Sequence, residues 1–297
     1  MKVLELFCGI GGFAAATHGR VDVVGAIDLS EHVLQVYKHN FPTHTTRQLG
    51  LDRVKAEILN SGEPDMWWMS PPCQPYTVRG VQQDLDDNRA VSFIHLLGLL
   101  RAGQVSPTTI AMENVEGFLE SRAHALLMET LDAAGYTHRV ERLLCPTQLG
   151  VPARRLRYYL VASRSPLLPV PEPILHTRPL AAYLDAGEPD DALIVPAEDV
   201  AKHGPGMRIF DVAQPGLELN CFTSAYGKTF RCAGSYILLD DGRVRRYSPD
   251  EILRLMCFPE WYTFPEGMTL RMRYKHIGNS LSIAAMREIL RVIPQLA

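Results

Sequence analysis

Over its first 165 residues the chain alternates short apolar runs with amphipathic ones, a rhythm that a mainly parallel sheet flanked by helices satisfies. Residues 3–7, 21–27, 65–69, 109–112, 139–144 and 158–162 read as strands. Helices are predicted near 13–18, from a Ser30 cap onward with Val33, Leu34 and Tyr37 on one face, and near 92–101 and 123–134. The composition then changes. Prolines at 166, 169, 171, 173, 179, 189 and 196, mixed with acidic residues, mark a linker, and short strands and loops are expected to about residue 245. Helical patterning resumes at Ser248 and ends in an apolar-faced helix over 281–293. The fold class expected is therefore α/β, with a main domain of residues 1–165 and 246–297 and a small lobe over 166–245.

At 297 residues, 46% of them hydrophobic, the chain can bury a full core. Its net charge of −3 gives no global argument for nucleic acid, so a basic face would have to be local. The six cysteines form no C-x-x-C pair and no zinc spacing with histidine, which predicts thiols of a reducing compartment and no metal site. No apolar stretch approaches the roughly 20 residues of a membrane-spanning helix, and no membrane partner is expected. Glu5 and the glycines at 9, 11 and 12 interrupt the one N-terminal run that looks like a signal sequence. A cytoplasmic protein is the expectation.

Ser70-Pro71-Pro72-Cys73-Gln74-Pro75 comes directly after the strand at 65–69. An isolated cysteine is most often a small buried hydrophobe. Here prolines fix their own φ, and those at 72 and 75 push the residues before them towards extended conformations. A thiol on such a turn at a strand's carboxyl end is aimed into a crevice, as a nucleophile would be. Gly9-x-Gly11-Gly12 after the first strand lets the backbone pass beneath a ligand, but lacks the G-x-G-x-x-G spacing of a dinucleotide site. Asp28, ending the second strand, stands where an acid meets ribose hydroxyls in nucleotide-binding folds. A cofactor with a ribose and no pyrophosphate fits both, and S-adenosylmethionine is the natural candidate.

Glu113 closes another strand beside Asn114; it reads either as a solvated carboxylate or as an acid facing a polar ring in the Cys73 crevice. Arg155 and Arg157 share a face if their segment is extended. They form either a basic surface or a site that holds a phosphate or carbonyl and lowers the thiol's pKa. Arg243, Arg245 and Arg246, and again Arg271, Arg273, Lys275 and His276, are further basic groups that could contact phosphates. Gly278-Asn279-Ser280 reads as the cap of the last helix.

Phe7-Cys8-Gly9-Ile10-Gly11-Gly12, Pro71-Pro72-Cys73-Gln74-Pro75, Glu113-Asn114-Val115, Arg155-Leu156-Arg157-Tyr158 and Gly278-Asn279-Ser280 stand in the order of the cytosine-5 methyltransferase family, which the chain resembles outside about 166–215. The resemblance implies a Rossmann-like S-adenosylmethionine-dependent methyltransferase sheet, with residues 166–245 as a target-recognition lobe. Cys221-Phe222-Thr223 followed by Ala225-Tyr226-Gly227, together with Ala26-Ile27-Asp28 and Tyr37-Lys38-x-Asn40-Phe41-Pro42, is similar to the second-type DNA-methyltransferase homologues. Those enzymes methylate cytosine 38 in the anticodon loop of transfer RNA, most often tRNA-Asp.

The resemblance implies that Cys73 adds to ring carbon 6, that Glu113 engages the ring N3 and exocyclic amine, and that Arg155 and Arg157 are a guanidinium pair at the site. It implies cofactor contacts from Phe7, Cys8, Gly9, Gly11, Gly12, Asp28, Leu29, Gln48, Leu49, Pro71, Asn279 and Ser280, with S-adenosylhomocysteine as product. It implies substrate contacts from Gln74, Arg79, Arg89, Asn114, Cys221, Phe222 and Thr223; Cys221 itself is open between packing, RNA contact and space-filling. Where the family often has an acid for the adenine amine this chain has Arg47-Gln48-Leu49-Gly50, leaving Gln48 or a backbone carbonyl. Cys257 stands where the family usually has Gly. The segment 79–89 is expected to close over the base as a lid. The expected partner is tRNA, with tRNA-Glu as another isoacceptor, acted on by a monomer with weak or no DNA activity. The alternative is a DNA cytosine-5 methyltransferase of a restriction-modification system.

Overall fold

A strand that is apolar on both faces must be covered on both sides, and Met66–Met69 is buried at all four positions, Trp67 and Trp68 included. It lies at the centre of a seven-stranded sheet in the computed structural model, which describes residues 1–77, 83–176, 178–214 and 216–297. The elements that build this sheet succeed one another as β1 (Lys2–Leu6), α1 (Gly12–Ala16), β2 (Asp22–Asp28), α2 (Glu31–Asn40), β3 (Thr46–Gln48), α3 (Ala56–Leu59), β4 (Met66–Met69), α4 (Val91–Arg101), β5 (Thr109–Val115), α5 (Arg122–Ala133), β6 (His138–Leu144) and β7 (Arg157–Ser163).

The strand order is β3-β2-β1-β4-β5-β7-β6. Every pairing from β3 to β5 is parallel, and β7 runs antiparallel to both β5 and β6. Successive strands step outward one way from β1 to β3 and the other way from β4 to β5. The order therefore reverses between β1 and β4, where open α/β sheets bind ligands at the carboxyl ends of the strands. The register there sets Leu6 opposite Met69. Helices α4 and α5 cover this sheet with Phe93, Leu96, Leu97, Leu100, Leu127 and Leu131, all in one hydrophobic cluster with Trp67 and Met69. Ser121 caps α5, its hydroxyl accepting from the His124 N–H at 3.0 Å.

The compact units do not coincide with the limits expected from composition. One comprises Met1–Leu144, Leu156–Pro173 and Met286–Ala297; the other comprises Cys145–Arg155 and Ile174–Ala285. The second thus takes in residues 145–155 and 246–285 besides most of the expected lobe. It contains α6 (Ala197–His203), a three-stranded sheet of β8 (Ile209–Asp211), β9 (Tyr236–Leu238) and β10 (Val244–Arg246), and then α7 (Pro249–Leu255) and α8 (Leu270–Gly278). A last helix, α9 (Ile283–Leu290), returns the chain to the first unit. What binds α7 and α8 to the small sheet is side-chain chemistry invisible to patterning. Glu251 takes both forks of Arg245 at 2.7 Å, the Tyr274 hydroxyl donates to the Tyr247 carbonyl at 2.7 Å, and Tyr226 meets Tyr274 edge-on at 5.0 Å.

Two expected caps are built otherwise. Ser30 precedes α2, but its side chain makes no cap bond; its N–H donates instead to the Asp28 carboxylate at 2.9 Å. Gly278 ends α8 with Asn279 as its C-cap, so the Gly278-Asn279-Ser280 turn closes one helix rather than opening the next. The Ser282 hydroxyl accepts from Ala285 at 3.4 Å near the start of α9.

Helix α7 ends in a Schellman motif, with the Phe258 N–H on the Leu253 carbonyl at 3.0 Å and the Cys257 N–H on that of Arg254 at 2.8 Å. The motif needs a left-handed residue at Cys257, whose φ is 61°. A side chain there costs about 1–2 kcal/mol relative to glycine's freedom. Cys257→Gly should therefore raise stability by about 1 kcal/mol in chemical denaturation. An unchanged or lowered midpoint would show that the thiol's packing outweighs the strain.

Candidate active site

Three loops leave the carboxyl ends of β1, β2 and β4, and one carboxylate ties the first two together. Asp28 accepts from the Gly9 N–H at 3.0 Å through Oδ2 and from the Ser30 N–H at 2.9 Å through Oδ1. Burial pushes its pKa up while those donors oppose the shift. The Leu49 N–H bonds the Asp28 carbonyl at 3.0 Å, and the Gln48 amide donates to the Leu29 carbonyl at 3.4 Å, so the loop after β3 joins the same clasp. Leu29 itself is 72% exposed, an apolar side chain held out at a strand's end.

The glycine turn is demanding. Phe7, Gly9 and Gly11 have φ of 54°, 53° and 85°. A Cβ at Gly11 would lie 2.8 Å from the Phe41 ring, whereas one at Gly9 would project into open space, the cradle expected of a loop that passes under a ligand. Gly12 begins α1 and Cys8 is buried, its thiol pKa raised by burial. Beneath the loop lies Glu5, which sequence reasoning treated only as an interruption. It is fully buried, accepts from the Tyr37 hydroxyl at 2.8 Å, and is pushed up to about 8 by burial. A carboxylate inside the apolar run of β1 was the available signal. Glycine spacing, Asp28 and the exposed Leu29 together fit an adenosyl group.

Four residues past Met69, Cys73 is half-buried with φ −87° and ψ −16°. The turn starts where strand pairing stops, the Ser70 N–H donating to the Leu6 carbonyl at 3.3 Å. Gln74 departs from the extended form expected before a proline: it opens a 3-10 turn over Gln74–Tyr76, closed by the Tyr76 N–H on the Cys73 carbonyl at 3.0 Å. Tertiary packing overrides the local bias. The Tyr76 ring is buried edge-on against Phe118 at 5.1 Å, and its carbonyl approaches Gly117 so closely that a Cβ there would sit 2.4 Å away.

β5 supplies the acid. Glu113 Oε1 lies 3.1 Å from Arg157 Nε, and both side chains are largely buried. The register accounts for the pair: Val115 faces Arg157 across the antiparallel ladder, which makes Glu113 its diagonal neighbour on one face. Asn114, expected at the substrate, points the other way. It is 1% exposed, donates to the Pro71 carbonyl at 3.4 Å and accepts from the Val115 N–H at 2.8 Å, so it braces the Cys73 turn from within.

Arg89 is a cation whose field reaches Cys73. It grips Asp87 at 2.8 and 2.6 Å, and its hydrogen bonds hold the Asp87 carboxyl down to about 2. Arg79 and the rest of 78–82 lie outside the described residues, so the expected lid is described only from Gln83 on. That part is tethered: Asp84 accepts from the N–H groups of Arg122 and Ala123 at 2.6 and 3.1 Å, capping α5 from outside.

Arg155 and Arg157, expected as a guanidinium pair, have different partners: Arg157 is held by Glu113, and Arg155 has a set of its own. Arg155 is buried in the second unit. It donates to Cys221 Sγ at 3.5 Å, to the Phe222 and Gly278 carbonyls at 3.4 Å each, and to the Ser280 carbonyl. Strand alternation could not foresee how differently the two arginines are bonded. Phe222 is 3% exposed, edge-on to Tyr226 at 5.1 Å, so its ring packs rather than contacts a ligand. Thr223 is fixed to the Ala233 carbonyl at 2.9 Å through its N–H, and Asn279 is exposed.

Sheet order and loop chemistry fit an S-adenosylmethionine-dependent methyltransferase. Residues 1–185 and 211–295 match the family described as C-5 cytosine-specific DNA methylase, and the chain belongs to it. A relative from Spodoptera frugiperda, named tRNA (cytosine(38)-C(5))-methyltransferase, is 30% identical over 98% of this chain and 98% of its own. One from Dictyostelium discoideum, named DNA (cytosine-5)-methyltransferase, is 30% identical over 99% of this chain and 94% of its own. The solved S. pombe Dnmt2 methyltransferase superposes with a TM-score of 0.86 at 25% identity, covering 99% of this chain and 98% of that one.

Because Asp28 clasps two loops at once, Asp28→Ala should weaken S-adenosylmethionine binding at least about tenfold in calorimetry, losing two charge-assisted hydrogen bonds. Retained affinity would mean the loops hold their shape without it.

Proposed function

We propose that this protein transfers a methyl group from S-adenosylmethionine to carbon 5 of a cytosine in tRNA, at position 38 of the anticodon loop, with tRNA-Asp as first substrate and tRNA-Glu as a second. One observation carries the catalytic part: Leu6 pairs with Met69, so the glycine loop and the Cys73 turn leave neighbouring strands at the point where the sheet order reverses. Phe7, Gly9, Gly11, Asp28, Leu29, Gln48, Leu49 and Pro71 would hold the cofactor, which supplies an electrophilic methyl group when bound.

Carbon 5 of cytosine is a poor nucleophile until the ring is attacked. The Cys73 thiolate adds at carbon 6, the displaced electron pair makes carbon 5 nucleophilic, and carbon 5 takes the methyl group. Loss of the carbon 5 proton then re-forms the double bond and expels the thiolate. Glu113, anchored at Oε1 by Arg157, faces the ring N3 and amine and stabilises the proton gained there. Arg89 contributes positive potential at the thiol. Arg155 is a positioning residue that fixes Cys221 and Phe222 to the turn after α8.

The tRNA assignment is supported by the Spodoptera relative's name and by Cys221-Phe222-Thr223. A loop cytosine also needs less unstacking than one in a duplex. The Dictyostelium relative's name and the family's description favour DNA as the second reading. Among the described residues no helix is long and apolar enough to cross a membrane. A cytoplasmic location and a monomeric state are part of the proposal.

Incubation with labelled S-adenosylmethionine and either total tRNA or genomic DNA separates the readings, with bisulfite sequencing locating the methylated cytosine. Label is expected in tRNA at cytosine 38; label confined to DNA would defeat the proposal. Cys73→Ala should abolish transfer while S-adenosylmethionine binding persists, and Glu113→Gln should lower kcat about 10²–10⁴-fold. Activity surviving in the Cys73→Ala protein would contradict the nucleophile.

A further inference from the structure

The three arginines around β10 are neutralised very differently. Arg243 reaches Asp241 at 2.6 Å and Glu188 at 3.7 Å, and Arg245 is held by both oxygens of the buried Glu251. Among the described residues Arg246 has no carboxylate within 4.0 Å, and its buried Nε has no hydrogen-bond acceptor. Its guanidinium lies 4.9 Å from the centroid of the Phe230 ring, which stacks in turn on His203 at 5.2 Å. A half-buried cation without an anion is unfavourable unless something supplies the charge. A planar guanidinium backed by an aromatic ring matches phosphate in shape and in donors.

Further unpaired cations stand beside it. Tyr247, the residue after Arg246, accepts the Tyr274 hydroxyl on its carbonyl at 2.7 Å, which ties this end of β10 to α8. On that helix Arg271 and Lys275 are both exposed and four residues apart, the spacing at which like charges repel. Gly227 abuts the same helix, 3.5 Å from the Arg271 Cα when a Cβ is built on it, so the exposed Lys228 adjoins the pair. No carboxylate lies within 4.0 Å of these three residues among those described. In a chain of net charge −3, a cluster that declines every available acid is a local exception.

We infer that Arg246 on Phe230, with Lys228, Arg271 and Lys275, forms a face that binds the sugar–phosphate backbone of the RNA substrate, a set of contacts additional to those that act on the target base. The inference rests on the tRNA reading above and extends it to a second set of contacts. Nucleic acid is favoured because several unpaired cations are grouped here, one of them backed by an aromatic ring, and RNA follows from the tRNA reading.

The test is equilibrium binding of an unmodified tRNA transcript across a range of KCl concentrations, with duplex DNA of similar length in a parallel arm. For K228Q/R271Q/K275Q the slope of log affinity against log salt should fall by about two, since each phosphate contact contributes about 0.7–0.9. The KM for tRNA should rise about tenfold or more, with kcat at saturating tRNA within about twofold of wild type. The melting temperature should hold or rise, because repulsion on α8 is relieved; this separates the face from a merely structural role. R246Q should lower the slope by about one. Unchanged slopes and KM would overturn the inference, as would tight binding to duplex DNA with none to tRNA. Weakened tRNA binding by a protein that never methylates tRNA would uphold the face and sink the catalytic reading instead.

Discussion

Parallel pairing of β1 with β4 is the constraint on which the rest of the site depends. With Leu6 opposite Met69 and Ser70 bonded to the Leu6 carbonyl, the two strands stop together, and the loops that leave them must emerge side by side. The pairing is secured by burial: Trp67 and Trp68 cover the two faces of β4, and a large aromatic side chain removes about 150–250 Å² from water. At about 25 cal/mol per Å² that is roughly 4–6 kcal/mol for each ring. The glycine loop inherits its place from β1, the thiol turn from β4. Neither segment has much regular structure of its own.

Buried and half-buried polar groups hold the positions of their neighbours. Asp28 accepts from backbone N–H groups of two different loops, Asn114 reaches the carbonyl of Pro71, and Arg157 fixes one oxygen of Glu113. The partners of Asp28 and Asn114 are loop or turn backbones that would otherwise sample several conformations, whereas Arg157 fixes a side chain on β5. The second unit uses the same device, with Arg155 bridging the carbonyls of Phe222, Gly278 and Ser280 and Glu251 holding both Arg245 and the cap of α7. Removing one member of such a set leaves the other buried and unpaired, which is why these groups are more sensitive to substitution than exposed ion pairs.

Much of the first unit was legible in the sequence, because a continuous apolar run such as 65–69 has few alternatives, and Gly9, Gly11 and the prolines at 71, 72 and 75 mark where strands give way to turns. β3 was not, since Thr46–Gln48 is three residues long and mostly exposed. The boundary between units was illegible for another reason. An amphipathic pattern says that α7 and α8 bury one face, not against which body; that choice lies in the Arg245–Glu251 and Tyr274–Tyr247 contacts. Cys73 and Asp28 stood out as candidates because their setting in sequence was unusual. The partners of Arg155 were not legible because alternation assumes one continuous strand, whereas β7 begins only at Arg157. The unpaired state of Arg246 needed the structure too, as its neighbours Arg243 and Arg245 look identical in sequence and are neutralised by acids.

The central claim is that Cys73 bonds covalently to the target ring, and trapping the adduct tests it most directly. In a tRNA carrying 5-fluorocytosine at the target position, fluorine takes the place of the proton that must leave carbon 5, so the thioether cannot be released. With S-adenosylmethionine present, the account predicts a denaturation-resistant protein–RNA species whose cross-linked peptide contains Cys73. A cross-link at Cys221, or methylation of ordinary tRNA by a protein that forms no adduct with the fluorinated one, would contradict it.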